Sequence, residues 1–176
     1  MLEDPGGELL ESACRSGGSR SISACVREGD GLDLIFCLRV AIGLANAITH
    51  MHRRGIVHKD IKPANVLVDS ATGQVWLTGF GIASRLPRER QPPVPPEFIA
   101  GTLAYVAPEQ TGRMNRSIDS RSDLYSFGVI LYKMVTGGLP FTALDPLEWI
   151  HCHIARLPVS PAQRIEHIRV RSQRSS

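Results

Sequence analysis

The sequence lacks the spacing patterns of a metal-binding or disulfide-rich protein. Its four cysteines are scattered, with neither a CxxC pair nor a Cys/His ligand spacing: Cys14, Cys25, Cys37 and Cys152. This usage is typical of unpaired thiols in a reducing compartment. Strong charge of either sign is lacking too, because the formal net charge is +3 over 176 residues. We therefore expect no nucleic acid and no membrane surface as a partner.

We also expect neither a signal peptide nor an apolar run long enough to cross a membrane. Glu3 and Asp4 stand where a leader would carry basic residues, and no apolar block follows them. The longest apolar run, around residues 34–48, is broken by Arg39 and is too short to cross a bilayer. With 43% hydrophobic and 21% charged residues, the composition is that of one globular domain. We expect a soluble, cytoplasmic protein.

A first helix is predicted from the spacing of apolar side chains between residues 34 and 54. The basic pair at 53–54 and then Gly55 are typical of a helix end. Apolar residues recur at spacings of four and three, which places them on one face of the helix. This predicted buried face consists of Leu34, Leu38, Ala41, Ala45 and Ile48.

Two further helices are predicted in the second half of the chain. One runs from about Ser120, as its N-cap, to Thr136, and it is apolar nearly all round. Such a helix belongs at the buried centre of a domain. The other begins at Asp145, with proline at its first position, and continues to about Ala155.

Strand signals are short and lie between the helices. Residues 56–57 predict a brief strand, and residues 66–68 and 74–78 predict a hairpin across the turn 69–73. Residues 85–97 carry five prolines and three arginines, which predicts an extended loop. The expected fold class is α+β, mainly helical, with a small β hairpin.

Domain boundaries are predicted from changes in composition. Residues 1–30 are irregular and hinge-like, with one helical turn expected near 8–13. Residues 31–157 carry the periodic elements and form the folded lobe. Residues 158–176 are a basic tail, for which we expect poor order, because four arginines and little periodicity are left there.

The strongest chemical signal is HKDIKPAN at 58–65, followed by GFG at 79–81 and APE at 107–109. An aspartate on a rigid loop can accept the proton of a substrate hydroxyl, and Asp60 is placed for that role. Lys62 would bring positive charge to a transferring phosphate. Asn65 offers a neutral oxygen to magnesium, a cation that prefers oxygen ligands.

In this order the motifs resemble the C-terminal lobe of a eukaryotic-type Ser/Thr protein kinase domain, whose common loop form is HRDLKPxN. More narrowly, LEDPGG at 2–7 and GFGIASRLPRER at 79–90 are similar to the kinase-homology domain of large bacterial sensor proteins. Those proteins join this domain to an ATPase module and a histidine kinase. The resemblance implies ATP and Mg as cofactors, with a protein substrate or partner modules of a sensor kinase.

The resemblance also implies a role for individual residues. Asp60, Lys62 and Asn65 would be catalytic, and Asn65 would also bind the metal. Leu67 would lie beneath an adenine ring, and Gly79 would border the nucleotide. Thr102, in the substrate segment 101–109, would bond to Asp60 and Lys62. The structural residues implied are His58, Phe80, Glu109 and Asp123, with Asp123 holding the backbone of the loop.

Departures from the family pattern leave the function open. Gly79 stands where the pattern has the aspartate that bridges magnesium to the phosphates. Asp69 is the nearest carboxylate in sequence that could substitute, but nothing in the sequence positions it. No glycine-rich loop or ATP-anchoring lysine precedes the motifs, so we expect the N-terminal lobe to be missing and ATP and Mg to bind weakly or not at all. Glu109 is expected to lack its usual arginine partner.

Three interpretations follow from these departures. The first is phosphoryl transfer from ATP to protein Ser/Thr hydroxyls, with impaired activity because of Gly79 and the expected missing lobe. The second is a catalytically inactive pseudokinase that acts as an interaction or regulatory module of a bacterial signalling protein, with the loop 85–97 as a docking surface. The third is a gene fragment without an independent function.

Overall fold

A computed structural model describes residues 8–9, 32–69, 73–85 and 103–164. The helices in these residues are α1 (Leu32–Arg53), α2 (Ser120–Thr136) and α3 (Pro146–Ala155). The strands are β1 (Glu8–Leu9), β2 (Ile56–Val57), β3 (Val66–Val68), β4 (Val75–Leu77) and β5 (Ser84–Arg85). Short 3-10 turns lie at Pro63–Asn65, Phe80–Ile82 and Pro108–Thr111. The predicted Pro/Arg-rich loop, from residue 86 onward, lies outside the described residues.

Two small antiparallel sheets hold the strands together. The predicted hairpin is confirmed, because β3 pairs with β4 in the register Val66–Leu77 and Val68–Val75. The brief strand β2 pairs with β5. The helical turn predicted near residues 8–13 is wrong at Glu8–Leu9, which are extended and pair with the free edge of β3. Unpaired backbone groups at a strand edge outweigh weak local helix propensity.

Helix α1 is confirmed, but its predicted buried face is partly wrong. Leu38 is 51% exposed. The residues that enter the core are Cys37, Val40, Leu44, Ile48 and Met51. Both sets repeat at spacings of three and four, so periodicity alone cannot choose between them. Contact with β4 makes the choice: a Cβ at Gly43 would lie 2.9 Å from Val75 Cγ2, so glycine permits the close approach of helix and strand.

Helix α1 is longer than the apolar run at residues 34–48 that the sequence indicated. Residues Ile35–Arg53 of α1 are long and apolar enough to cross a membrane, judged by length and composition alone. The core helix of a globular domain passes the same test, and the side chains of Val40, Leu44 and Ile48 are fully buried in this core. The prediction that the segment is too short to span a bilayer is therefore wrong on length.

The predicted bounds of helix α2 are confirmed, but its N-cap and its packing differ from the prediction. Asp119, rather than Ser120, is the N-cap, and its Oδ1 accepts from the backbone N–H of Arg121 at 2.9 Å. The helix is central, but it is not buried all round, since Leu124 is 52% exposed. Its first turns instead bury polar side chains: Ser122, Asp123 and Ser126. This polar, buried end of α2 faces the loop that carries the sequence motif.

Helix α3 confirms its predicted start and end. Asp145 Oδ1 accepts from the backbone N–H groups of Leu147 and Glu148, at 2.8 and 2.9 Å. Beyond α3, the chain returns to α2: Tyr132 donates to the carbonyl of Val159, and Arg164 lies over the Tyr132 ring. Val159 and Arg164 of the predicted basic tail thus contact the lobe, and residues 165–176 lie outside the described residues.

Candidate active site

The buried carboxylate of Asp123 fixes the start of the 58–65 loop. Its Oδ2 accepts from the backbone N–H of His58 at 2.9 Å, and its Oδ1 accepts from the N–H of Lys59 at 2.8 Å. His52, in the last turn of α1, donates from Nε2 to Oδ2 at 2.7 Å. Asp123 is 1% exposed, and a buried carboxylate requires such donors. One side chain of α2 therefore joins α1 to the loop.

Lys59 has a backbone conformation that few residues other than glycine adopt. Its φ is +70°, a left-handed geometry that disfavours an L-residue by roughly 1–2 kcal/mol. Both of its backbone polar groups are held, the N–H by Asp123 and the carbonyl by Gln110 Nε2 at 2.7 Å. Gln110 is in turn fixed by the N–H of Ala107, which donates to its Oε1. These contacts hold the loop in its strained turn.

His58 is fully buried and links the loop to the GFG segment. Its Nε2 lies 2.8 Å from the carbonyl oxygen of Thr78, and its Nδ1 lies 3.3 Å from the backbone N of Asp60. A carbonyl only accepts and a backbone N–H only donates, so the proton is on Nε2 and Nδ1 is the acceptor. The ring also packs against Phe80, with 4.8 Å between ring centroids. Both nitrogens are engaged by the backbone, so His58 here supports the loop.

Asp60, Lys62 and Asn65 come together at the surface of the loop. Lys62 Nζ lies 3.0 Å from Asp60 Oδ2. Asn65 Nδ2 donates to the same Oδ2 at 2.9 Å and to the backbone carbonyl of Asp60 at 2.7 Å. The side chains of Asp60 and Lys62 are 21% and 23% exposed. An aspartate that is oriented by an amide, lies beside an ammonium group and is reached by solvent can receive a proton from a bound hydroxyl group.

Gly79 lies directly against Asn65. Its φ is +79°, and a Cβ built there would lie 2.5 Å from Asn65 Oδ1 and 2.6 Å from Asn65 Nδ2. No carbon atom fits at such distances, so the carboxamide of Asn65 fills the space that a side chain at residue 79 would use. A side chain at residue 79 would therefore displace this carboxamide and disturb the hydrogen bonds that Asn65 makes with Asp60.

A double-mutant cycle tests this coupling. Gly79→Ala is expected to reduce the free energy of unfolding by about 2–3 kcal/mol, from left-handed backbone strain and the displaced carboxamide. Asn65→Ala alone should cost about 1–2 kcal/mol for its lost hydrogen bonds. In the double variant the collision is absent. We therefore expect its loss in free energy of unfolding to be about 1 kcal/mol smaller than the sum of the two single losses. Urea unfolding measures all four proteins, and strictly additive losses would contradict the contact.

The oxygen atoms near Asn65 do not by themselves form a magnesium site. Magnesium takes octahedral oxygen ligands, commonly including one or two carboxylates. The Asp60 Oδ2 already accepts from Lys62 and Asn65, and Gly79 offers no side chain. Asp69 is four residues from Asn65 along β3, about 13 Å at strand geometry, so it cannot substitute. In the part of the chain that the structure describes, no group of three His, Cys, Asp or Glu side chains could hold a metal ion.

An apolar cavity near the site does not contain the three polar residues. Its volume is about 910 Å³, and it lies between α1 and β4. Leu67, Gly79 and Phe80 border it, whereas Asp60, Lys62 and Asn65 are not among its lining residues. Leu67 and Gly79, which the resemblance places at the nucleotide, therefore border this cavity. The predicted catalytic residues lie on a neighbouring surface. Leu67 is half-buried in β3.

The substrate segment is described only from residue 103, so the predicted contact of Thr102 lies outside the described residues. We call residues 103–107 the docking segment. Ser126 of α2 donates to the Tyr105 carbonyl at 2.7 Å. Glu109, which follows the segment, accepts from the Ser122 hydroxyl at 2.6 Å. The hydrogen-bond partner of Glu109 in the described residues is therefore a hydroxyl, and its charge also acts on Arg121.

Several residues of the site were not predicted from the sequence. His52 holds Asp123, Gln110 holds Lys59, and His153 holds the carbonyl of Leu103. Each is far from its partner in the chain, so no local spacing signals the contact. The left-handed turn at Lys59 also has no sequence signal, because glycine or asparagine is the usual residue there.

Comparison with known proteins identifies the family. A family model described as the protein kinase domain matches residues 20–174. "Probable serine/threonine-protein kinase PknB" of Bifidobacterium longum is 36% identical over 129 residues, which are 73% of this chain and 18% of that protein. Serine/threonine-protein kinase PknB of Mycobacterium tuberculosis is 36% identical over 129 residues, 73% of this chain and 20% of that protein. The Mycobacterium leprae protein of the same name is 36% identical over 133 residues, with coverages of 76% and 21%.

This chain belongs to the protein kinase family, as a eukaryotic-type Ser/Thr kinase domain. The mainly helical lobe with its small antiparallel sheets is consistent with part of that fold. The chain spans about a fifth of the length of these curated relatives.

Proposed function

We propose that this chain transfers the γ-phosphoryl group of ATP to serine or threonine hydroxyls of a protein, at a low rate. The observation that supports the proposal most strongly is the contact of Asp60 with Lys62 and Asn65 on a loop anchored by Asp123. Family membership supports the class of reaction. The chain's own residues support the position of the acceptor hydroxyl.

In this mechanism the Asp60 carboxylate orients the substrate hydroxyl and receives its proton. The hydroxyl oxygen forms a bond to the γ-phosphorus, and the bond from that phosphorus to the β–γ bridging oxygen breaks, so that ADP leaves with the electron pair. Lys62, 3.0 Å from the carboxylate, places positive charge beside the transferring group. Asn65 keeps the carboxylate in position through its two hydrogen bonds. Magnesium is expected only as part of the Mg-ATP substrate.

Gly79 is the physical reason for a low rate. Without a carboxylate, residue 79 offers no charged anchor for the metal on the phosphates. Loss of a group that stabilises the developing charge commonly reduces the rate by about 10²–10⁴-fold. Incorporation of labelled phosphate into a Ser/Thr-containing peptide tests the proposal. We expect a slow, magnesium-dependent product, and none on the same peptide with alanine at the hydroxyl positions.

A pseudokinase role is the second candidate, favoured by the packing of Asn65 against Gly79. In this role the lobe acts as an interaction or regulatory module of a bacterial signalling protein, in agreement with its resemblance to sensor proteins. The partners are then neighbouring modules of the same signalling system. For either role we propose a cytoplasmic location and no nucleic acid partner, from composition and mild net charge.

Nucleotide binding separates the two candidates. A ligand at ten times its dissociation constant stabilises the folded state by about 1.4 kcal/mol, which is about 3–6 °C in melting temperature at this size. The kinase proposal expects that shift with Mg-ATP and a smaller one with ATP and a chelator. A melting temperature that stays unchanged up to high Mg-ATP concentrations would favour the pseudokinase.

A further inference from the structure

His153 is a buried titratable group that the proposed mechanism does not use. It lies on α3, is 7% exposed, and is enclosed by aromatic rings. Trp149 stacks on it with ring centroids 5.9 Å apart, and Tyr125 and Phe141 meet it edge-on at 5.6 Å. A buried imidazole of this kind needs partners for both of its nitrogens.

Both nitrogens of His153 have partners, and these fix its tautomer. Nε2 lies 2.8 Å from the carbonyl oxygen of Leu103, so it carries the proton and donates. Nδ1 lies 2.7 Å from the hydroxyl of Tyr125, which donates to it. The Leu103 carbonyl also accepts from the backbone N–H of Val106 at 3.3 Å. His153 therefore holds the same carbonyl that closes the turn of the docking segment.

The docking segment is attached to α2 at other points. Ser126 donates to the Tyr105 carbonyl at 2.7 Å, and Lys133 Nζ donates to the Tyr105 hydroxyl at 3.1 Å. The contact from α3 is different, because His153 supplies the bond to Leu103 at the first described residue of the segment. This hydrogen bond links α3 directly to the start of the docking segment.

We propose that His153 is a positioning residue for the docking segment, which it holds in register with the 58–65 loop through the carbonyl of Leu103. It acts through Leu103 and does not touch the reacting atoms. That this segment receives a protein substrate rests on the proposed function, whereas the link between α3 and the segment does not.

The proposal predicts that the stability of the docking segment depends on pH. The burial of His153 fixes the direction of this dependence. Ionisable side chains around His153 include Tyr125 of α2, which bonds to it, and Glu109 and Cys152, whose charges act on Tyr125; Lys133 of α2 bonds to Tyr105 of the segment. Burial raises the pKa of Tyr125 to about 12, assisted by the charge of Glu109, so its hydroxyl remains a donor. Burial lowers the pKa of His153, and the Leu103 hydrogen bond partly opposes this.

When the docking segment separates from α3, the hydrogen bond between His153 and Leu103 is broken. The pKa of His153 then returns toward its ordinary value of 6.5. The opened state then binds a proton that the closed state does not bind until a lower pH. The closed arrangement is therefore most stable above pH 6.5, and its stability falls as the pH drops from 6.5 toward the lowered pKa. Hydrogen exchange of the segment, corrected for the intrinsic rate at each pH, should show this loss of protection.

Hydrogen exchange of the full chain tests the proposal through two variants at one position. His153→Phe keeps an aromatic ring but removes both hydrogen bonds, so exchange of the docking segment is expected to be about five- to tenfold faster. His153→Gln keeps a donor near Nε2 and cannot titrate in this range. It should restore most of the protection and abolish the pH dependence between pH 5 and 6.5. His151→Gln, on the exposed face of the same helix, is the control. It should leave the protection of the docking segment and its pH dependence unchanged.

Two outcomes would overturn the proposal. One is unchanged exchange in the segment for His153→Phe, and the other is an equal change throughout the chain, which indicates global destabilisation alone. Where peptide phosphorylation is measurable, His153→Phe should raise KM for the peptide severalfold and leave kcat nearly unchanged. Absence of phosphorylation by the wild-type chain would remove the proposed function, while the exchange result would still decide the role of His153.

Discussion

Asp60→Asn is expected to reduce phosphoryl transfer by about 10²–10⁴-fold, the range for removing a general base. The substitution preserves shape and most hydrogen bonds, because an amide oxygen can still accept from Lys62 and from Asn65, the two partners of Asp60 Oδ2. It removes the ability to receive a proton and the negative charge that orients the acceptor hydroxyl. Initial rates with labelled ATP and a Ser/Thr peptide measure the effect.

The matched control is Asp69→Asn. Asp69 is also partly buried, but it lies at the opposite end of β3 from Asn65, so its substitution should leave the rate within about twofold. Melting temperatures of both variants establish that the fold is retained. Equal rates in wild type and Asp60→Asn would assign any phosphate incorporation to a contaminant or to non-enzymatic background, and the enzymatic proposal would be withdrawn.

The second large effect is expected in stability. Asp123→Ala should reduce the free energy of unfolding by about 3–5 kcal/mol, the range for breaking a buried charged interaction by removing one partner. Three donors then lose their acceptor: the backbone N–H groups of His58 and Lys59, and His52 Nε2. Because 1 kcal/mol corresponds to about 2–4 °C at this size, the melting temperature should fall by on the order of 10 °C.

Asp145→Ala provides the comparison within the same chain. Asp145 also accepts two backbone N–H groups, but as the exposed N-cap of α3, where removal costs about 1 kcal/mol. The difference between the variants isolates the effect of burial and of the strained Lys59 turn. Equal losses for the two aspartates would show that the burial of Asp123 adds nothing beyond what an exposed helix cap contributes. Urea denaturation monitored by circular dichroism gives both values.

Helix existence and helix ends could be predicted because they depend on local chemistry. Asp145 and Pro146 define the start of α3 within one turn, and the hairpin of β3 and β4 follows from its apolar runs and turn residues. The buried face of α1 could not be predicted in the same way. Its apolar side chains at spacings of three and four occupy two faces, and only contact with β4 and α2 decides which is buried.

The candidate site shows the same distinction between local features, which could be predicted, and contacts between distant segments, which could not. The spacing of Asp60, Lys62 and Asn65 on one short loop requires them to be neighbours, and the structure places them in mutual contact. The support beneath them is not local. His52 and Asp123 are 71 residues apart in the chain, and neither position has a sequence pattern that signals the other.

The sequence by itself determined the family, the order of the three helices and the β3–β4 hairpin, and the missing carboxylate at residue 79, because each depends on residue identity or short spacing. Only the tertiary structure decided that Asn65 fills the space beside Gly79, that Lys59 is held in a left-handed turn, and that His153 secures Leu103. These features arise where distant segments meet. Their geometry is set by packing and by the hydrogen-bonding needs of buried polar groups, which local sequence does not encode.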